Sequence, residues 1–146
     1  MASPGRHEVK PDLAQGGYVS VRVPASDASA RLARQACRHL LPYVGDAGEE
    51  LELLVTELVT NAARHNGVEG ESTIWLEVAV GPRHIRLEVA DEGAGFEPPA
   101  AAELDMPRIG GFGLVFVNAL CDRWGVFEDS GTHVWGELPY RPPRWN

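Results

Sequence analysis

Glu57 and Asn61 stand four residues apart in the stretch ELVTNAARHN, residues 57–66. Residues at i and i+4 are neighbours on a helix surface. A carboxylate and an amide oxygen are therefore side by side if this segment is helical. Asn is a mediocre helix former, so Asn61 and Asn66 in one short segment need a reason. An amide oxygen is a neutral ligand for Mg²⁺, which keeps waters and takes phosphate oxygens as its other ligands. A carboxylate beside it can accept a proton from a hydroxyl or a water. Taken alone, the segment also fits an ordinary solvated helix face.

Two further segments carry compatible chemistry. DEGAGF, residues 91–96, follows an alternating run that ends at Asp91. A buried carboxylate at a strand end can accept a hydrogen bond from an exocyclic amine. Gly93 and Gly95 let a flat ring approach the backbone closely. A plain turn is the simpler alternative, because Asp-x-Gly is common in turns. A calcium loop fits poorly, since the ladder of alternating acidic residues is missing. GGFGL, residues 110–114, leads into an apolar run. Glycines before a helix expose N–H groups and the positive end of the dipole, which suits phosphate; a flexible joint is the alternative. A dinucleotide fingerprint would need a third glycine where Phe116 stands.

These residues need elements to position them. With Leu51 at 0° and about 100° per residue, Leu54, Val55, Leu58, Val59 and Ala62 share an arc of about 140°. This is a core stripe on a helix over 49–66. Glu57 and Asn61 fall just outside its edge, with Arg64 beside Glu57. Upstream, YVSVRV (18–23) alternates as a strand, and Pro24 stops it. Ser26 or Asp27 can cap a helix over 28–41 that ends before Pro42. Residues 72–80 and 84–91 alternate on either side of Gly-Pro-Arg, which implies an antiparallel hairpin. Residues 92–111 are too long and too rich in Gly and Pro for a tight connection, and loops of that kind are usually functional. Residues 112–124 read as a helix, 125–127 as a short strand, 128–131 as a turn and 132–140 as a last strand. The order implies an α+β two-layer sandwich, with a mostly antiparallel sheet and helices on one face. One domain is expected over 17–140, between a frayed polar segment 1–16 and a loose tail 141–146.

In this order and at these spacings, the three segments resemble the N box and the two glycine boxes of the gyrase, chaperone, histidine kinase and MutL ATPase superfamily. The resemblance implies the Bergerat, or histidine kinase-like ATPase, fold. More narrowly, ELVTNAARH, DEGAGFEP, GFGLVFVNALCDRWGV and SGTHVWGEL resemble the bacterial anti-sigma-factor serine kinases, over about residues 18–139. The resemblance implies ATP and Mg²⁺ as cofactors, with Glu57 as general base and Asn61 as the Mg²⁺ ligand. It implies Asp91 as the carboxylate that reads adenine, with Gly93 and Gly95 in the turn beside it. Gly111 and Gly113, followed by Leu114, match the segment that cradles phosphate. Thr132 matches a threonine that supports Asp91 and the adenine, and 97–110 match a mobile lid. Many relatives carry Arg between the two glycines of the second box. Here Phe112 stands there, and Arg108 is the candidate for the missing cation. The family phosphorylates a serine on an anti-anti-sigma protein, holds a sigma factor and forms homodimers. The second possibility is an ATP-responsive binding module with little kinase activity.

The composition limits the choice. The chain has 146 residues, 44% of them hydrophobic, enough for one domain with a real core. Its formal charge of −8 argues against general affinity for nucleic acid or anionic membrane. A polyanion must then be held locally, by backbone N–H groups, a metal ion or a few placed arginines. The 2 cysteines, Cys37 and Cys121, make no metal-binding spacing and read as reduced thiols in a cytoplasmic protein. The first residues contain no apolar signal segment, and no apolar run approaches the roughly 20 residues of a membrane span.

Overall fold

The computed structural model describes residues 17–66, 72–91 and 112–141. The segment expected to fray at 1–16, the long loop at 92–111 and, apart from Arg141, the loose tail expected at 141–146 lie outside the described residues. Five strands form one sheet: β1 (Tyr18–Pro24), β2 (Thr73–Val80), β3 (His84–Asp91), β4 (Arg123–Glu128) and β5 (Thr132–Pro139). Their spatial order is β1-β2-β3-β5-β4, and every described ladder is antiparallel. Among the described residues, three α-helices, α1 (Ser29–Cys37), α2 (Gly48–Asn66) and α3 (Phe112–Leu120), accompany the sheet. The architecture is the α+β sandwich expected from the element order. Among the described residues, no helix is long and apolar enough to cross a membrane.

Alternation fixes which side of the sheet the helices cover. Ile74, Leu76, Val78 and Val80 of β2 and Ile85, Leu87 and Val89 of β3 all bury in the core. The α2 stripe of Leu51, Leu54, Val55, Leu58 and Val59 packs into the same cluster, while Ala62 is half-buried at its edge. From α1, Ser29, Ala33 and Cys37 recur every fourth residue and bury together. Val117 anchors α3. The glycine at 136 sets how close α3 sits: a Cβ there would lie 2.8 Å from Val117 Cγ2 and 2.8 Å from Cys121 Sγ.

Three boundaries differ from the expectation. The first helix is α-helical only to Cys37, and residues Arg38–Tyr43 wind as a 3-10 helix containing Pro42. The proline has no N–H for an α-type bond, and the tighter winding accommodates it. Neither Ser26 nor Asp27 is the N-cap, which is Ala28 with no side-chain cap. Instead Ser26 Oγ accepts from the Ala28 N–H at 3.1 Å, and Ser29 Oγ accepts from the Ser26 N–H at 2.7 Å. The helix expected over 112–124 stops at Leu120, because Arg123 and Trp124 pair with Glu137 and Gly136 in the sheet. Both cysteines are buried and free, as expected of reduced thiols.

Candidate functional site

Helix α2 and the ends of β3 and β5 enclose a cleft. Its lining is Leu58, Asn61 and Ala62 from α2, Val89 and Asp91 from β3, and Thr132 and Val134 from β5. Each strand contributes residues two apart, which alternation directs to one face. The space is about 310 Å³ with the open solvent at its mouth included. The walls are aliphatic, and the three polar side chains are Asn61, Asp91 and Thr132.

All three polar residues are buried: Asn61 is 9% exposed, Asp91 4% and Thr132 5%. Asn61 Oδ1 has no hydrogen-bond partner among the described residues. A buried carbonyl oxygen without a donor is costly, by about 1–3 kcal/mol, and an atom held that way fits a site completed by a ligand. The donor type suits a hard cation, which takes neutral amide oxygens. Thr132 Oγ1 lies 3.0 Å from Glu128 Oε2, tying the start of β5 to the end of β4. The turn between those strands is tight: Asp129 N–H donates to the Gly131 carbonyl at 2.9 Å, and Ser130 has a positive φ of 54°.

Of the residues expected at a site, Asn61, Asp91 and Thr132 are therefore brought together. Glu57 is half-buried one helical turn before Asn61 and is not among the residues that line the cleft. Leu114 is half-buried and packs against the core. Gly113 lies in the first turn of α3. Gly93, Gly95, Arg108 and Gly111, with the lid over 97–110, lie outside the described residues.

A polar layer lies on the opposite face of the same strands, behind the cleft. Glu88 is 2% exposed and accepts from Arg86 Nη1 at 3.0 Å; its other oxygen is 2.7 Å from His133 Nδ1. The Arg86 guanidinium also lies over the Trp135 ring, 5.2 Å from its centroid. Burial raises the Glu88 carboxyl's pKa, but the hydrogen bonds and charges of His133 and Arg86 outweigh it and hold the group below the usual carboxylate range. Burial likewise lowers the His133 pKa, and the bonds and charges from Glu88 and Asp129 reverse this, leaving it above the ordinary histidine value. The sequence reading missed this layer. Arg86 and Glu88 alternate with Ile85, Leu87 and Val89, which places them on the face away from the helices but does not show that the face is buried.

Comparison with known proteins decides the family. Residues 23–136 match the model of the histidine kinase-like ATPase domain. The chain belongs to that family. It is similar to the serine-protein kinase RsbW of Staphylococcus epidermidis, 26% identical over 134 residues, with 80% of this chain and 83% of the relative covered. The RsbW of Staphylococcus aureus strain Newman is 27% identical over the same length. Among solved structures, the histidine kinase domain of the Erythrobacter litoralis EL346 blue-light activated histidine kinase matches with a TM-score of 0.50 at 23% identity. That match covers 65% of this chain and 45% of the other, and it bears on the fold alone. The family is one of ATP-binding domains, and the cleft between α2 and the ends of β3 and β5 is the candidate nucleotide site of this one.

Proposed function

We propose that this protein is an anti-sigma regulatory factor with ATP-dependent serine/threonine protein kinase activity. Its substrate is an anti-anti-sigma protein in a partner-switching pathway. The observation that carries the reading is the cleft itself: a buried, unbonded Asn61 oxygen on α2 faces the same space as buried Asp91 on β3. The RsbW relatives, named as serine-protein kinases, support the choice of reaction.

In this reading the aliphatic side chains of Leu58, Ala62, Val89 and Val134 sandwich the adenine. Asp91 accepts its exocyclic amine, with Thr132 alongside. Asn61 Oδ1 is the protein's ligand to Mg²⁺. When bound, the ion neutralises charge on the phosphates during transfer. The N-terminal turn of α3, with Gly113 and Leu114, meets the phosphates through its N–H groups; the remaining roles, Gly111 at the phosphates, Gly93 and Gly95 beside the adenine and Arg108 as the cation, are those the family resemblance implies. Glu57 takes the proton of the attacking serine hydroxyl. That oxygen forms the new bond to the γ-phosphorus as the bond to the β-phosphate oxygen breaks, and ADP leaves. The protein works in the cytoplasm as a homodimer, and binds its sigma factor or its antagonist according to the antagonist's phosphorylation.

Phe112 favours one second reading, a nucleotide-responsive binding module with negligible transfer, because a cation common in the second glycine box is replaced by an aromatic ring. Incubation with γ-labelled ATP and a cognate antagonist separates the two. The kinase reading expects labelled antagonist, and transfer slowed about 10²-fold or more by Glu57→Ala with nucleotide affinity kept. ATP binding without any transfer would install the binding module. Transfer at the wild-type rate by Glu57→Ala would remove Glu57 as the base.

A further inference from the structure

His133 occupies an unusual position. Its neighbours in sequence and in the strand, Thr132 and Val134, line the cleft, so alternation sends its own ring to the far face of the sheet. There Nδ1 is 2.7 Å from Glu88 Oε2, and Nε2 is 2.9 Å from the backbone carbonyl of Asp129. A carbonyl oxygen only accepts. A carboxylate that Arg86 already holds at 3.0 Å also only accepts. Both ring nitrogens must therefore donate, which requires the imidazolium. Phe127 stacks on the ring with centroids 4.5 Å apart, and Trp75 meets its edge at 6.4 Å.

We infer that protonated His133 is a positioning residue for nucleotide binding: as an imidazolium it clamps the β4–β5 turn to β3 and so holds Thr132 in the wall of the cleft. The inference rests on the cleft being the nucleotide site. A neutral imidazole has one N–H and can keep only one of the two bonds. The bond to Glu88 is charge-assisted and the stronger, so loss of the proton frees the Asp129 carbonyl. The turn then keeps its bond between Asp129 and Gly131, but its tie to the sheet through the ring is gone, and Thr132 with its partner Glu128 follows the turn. The surrounding groups act in both directions: carboxylates favour the proton and arginines oppose it, and the bonds and charges from Glu88 and Asp129 prevail. These groups are Glu88, with Arg86 beyond it, from β3; Asp129 and Glu128 from the hairpin; and Glu137 further along β5. From β2 come Trp75 and then Glu77, and Arg22 of β1 lies opposite Trp75. Because the folded-state pKa of His133 is raised, the clamp is complete at low pH and lost as pH rises through that value.

The test titrates wild type and His133→Gln with Mg·ATP by calorimetry from about pH 6 to about pH 9, and follows the His133 ring by NMR with and without nucleotide. The nucleotide's own phosphates ionise identically for both proteins, so the difference between the two profiles isolates His133. Wild-type affinity is expected to fall with rising pH relative to the variant, about tenfold per unit by which nucleotide raises the His133 titration point. Parallel profiles, together with an NMR titration point that nucleotide leaves unmoved, overturn the inference. If His133→Gln does not fold, the wild-type NMR shift alone decides, since linkage requires it. If no nucleotide binds at any pH, the nucleotide reading fails separately. The clamp is then judged on the free protein: amide protection at 129–133 must fall as His133 deprotonates, and constant protection rejects it.

Discussion

Asn61→Ala is expected to make the nucleotide-free protein more stable. A merely structural asparagine would behave in the opposite way. Asn61 Oδ1 is buried with no hydrogen-bond donor among the described residues, and relieving an unsatisfied carbonyl returns about 1–3 kcal/mol. Alanine is also the better helix former, by roughly half a kcal/mol. Against this stands the packing lost with a small side chain at the edge of an open cleft, about 1 kcal/mol. The net is a gain of about 0.5–2.5 kcal/mol, or about 2–10 °C in Tm for a domain of this size. Mg·ATP reverses the order. At a hundred times its Kd, a ligand that binds only the folded state adds about 2.7 kcal/mol, and the variant, lacking its metal ligand, receives little of it. Thermal unfolding of both proteins, with and without saturating Mg·ATP, therefore gives two curves that change places. An Asn61→Ala protein that melts below wild type without nucleotide would show that the oxygen is satisfied and structural. Equal stabilisation of both proteins by Mg·ATP would show that Asn61 holds no part of the nucleotide complex.

Two further outcomes test the packing around the site. Gly136→Ala places a methyl 2.8 Å from Val117 Cγ2 and Cys121 Sγ, and urea unfolding is expected to show a loss of about 1–3 kcal/mol; an unchanged midpoint would mean that α3 does not sit closely on β5. Burial pushes both thiols, Cys37 and Cys121, up to about 12, so at pH 8 only about one in ten thousand is thiolate. Ellman's reagent is expected to modify neither in the native protein and both in denaturant, and fast native labelling would contradict the buried placement.

The parts of the fold that rest on a long, single-element period were legible in the sequence. The α2 stripe from Leu51 to Val59 and the strands on either side of Gly81-Pro82-Arg83 fall where their periods put them. The end of α3 was not legible. Residues 121–124, Cys-Asp-Arg-Trp, are helix-compatible, with no glycine or proline before Gly125 to break the helix. The break comes from β5, where the Glu137 carbonyl accepts from the Asp122 N–H at 3.0 Å and Arg123 enters the ladder. Local propensity loses there to a pairing partner distant in sequence. Within the site, Asn61 and Asp91 were legible because each is a polar residue at the end of an apolar period. The Arg86–Glu88–His133 layer was not. Charges at alternate positions of a strand read as a solvent face, and only the assembled sheet shows Phe127, Trp75 and Trp135 closing around them from other strands.

The cleft lies where the core runs out, and the same alternation produces both. Along β3 the helix-facing residues proceed Ile85, Leu87, Val89 and then Asp91; along β5, read in the opposite direction, they proceed Leu138, Gly136, Val134 and then Thr132. The strands are antiparallel neighbours, so both series turn polar at the same end of the sheet. Over that end, α2 offers Leu58 and then Ala62, whose small side chain leaves unfilled the volume that a leucine would close, with Asn61 beside it. An apolar slot that passes into buried polar groups at one end is therefore a direct consequence of three sequence periods ending in register. In the proposed function this slot takes a flat, partly polar ring, with its faces against the aliphatic walls and its edge at Asp91. The layer of Glu88 and His133 on the reverse side gives the ends of these strands a second set of attachments, where the core itself no longer holds them.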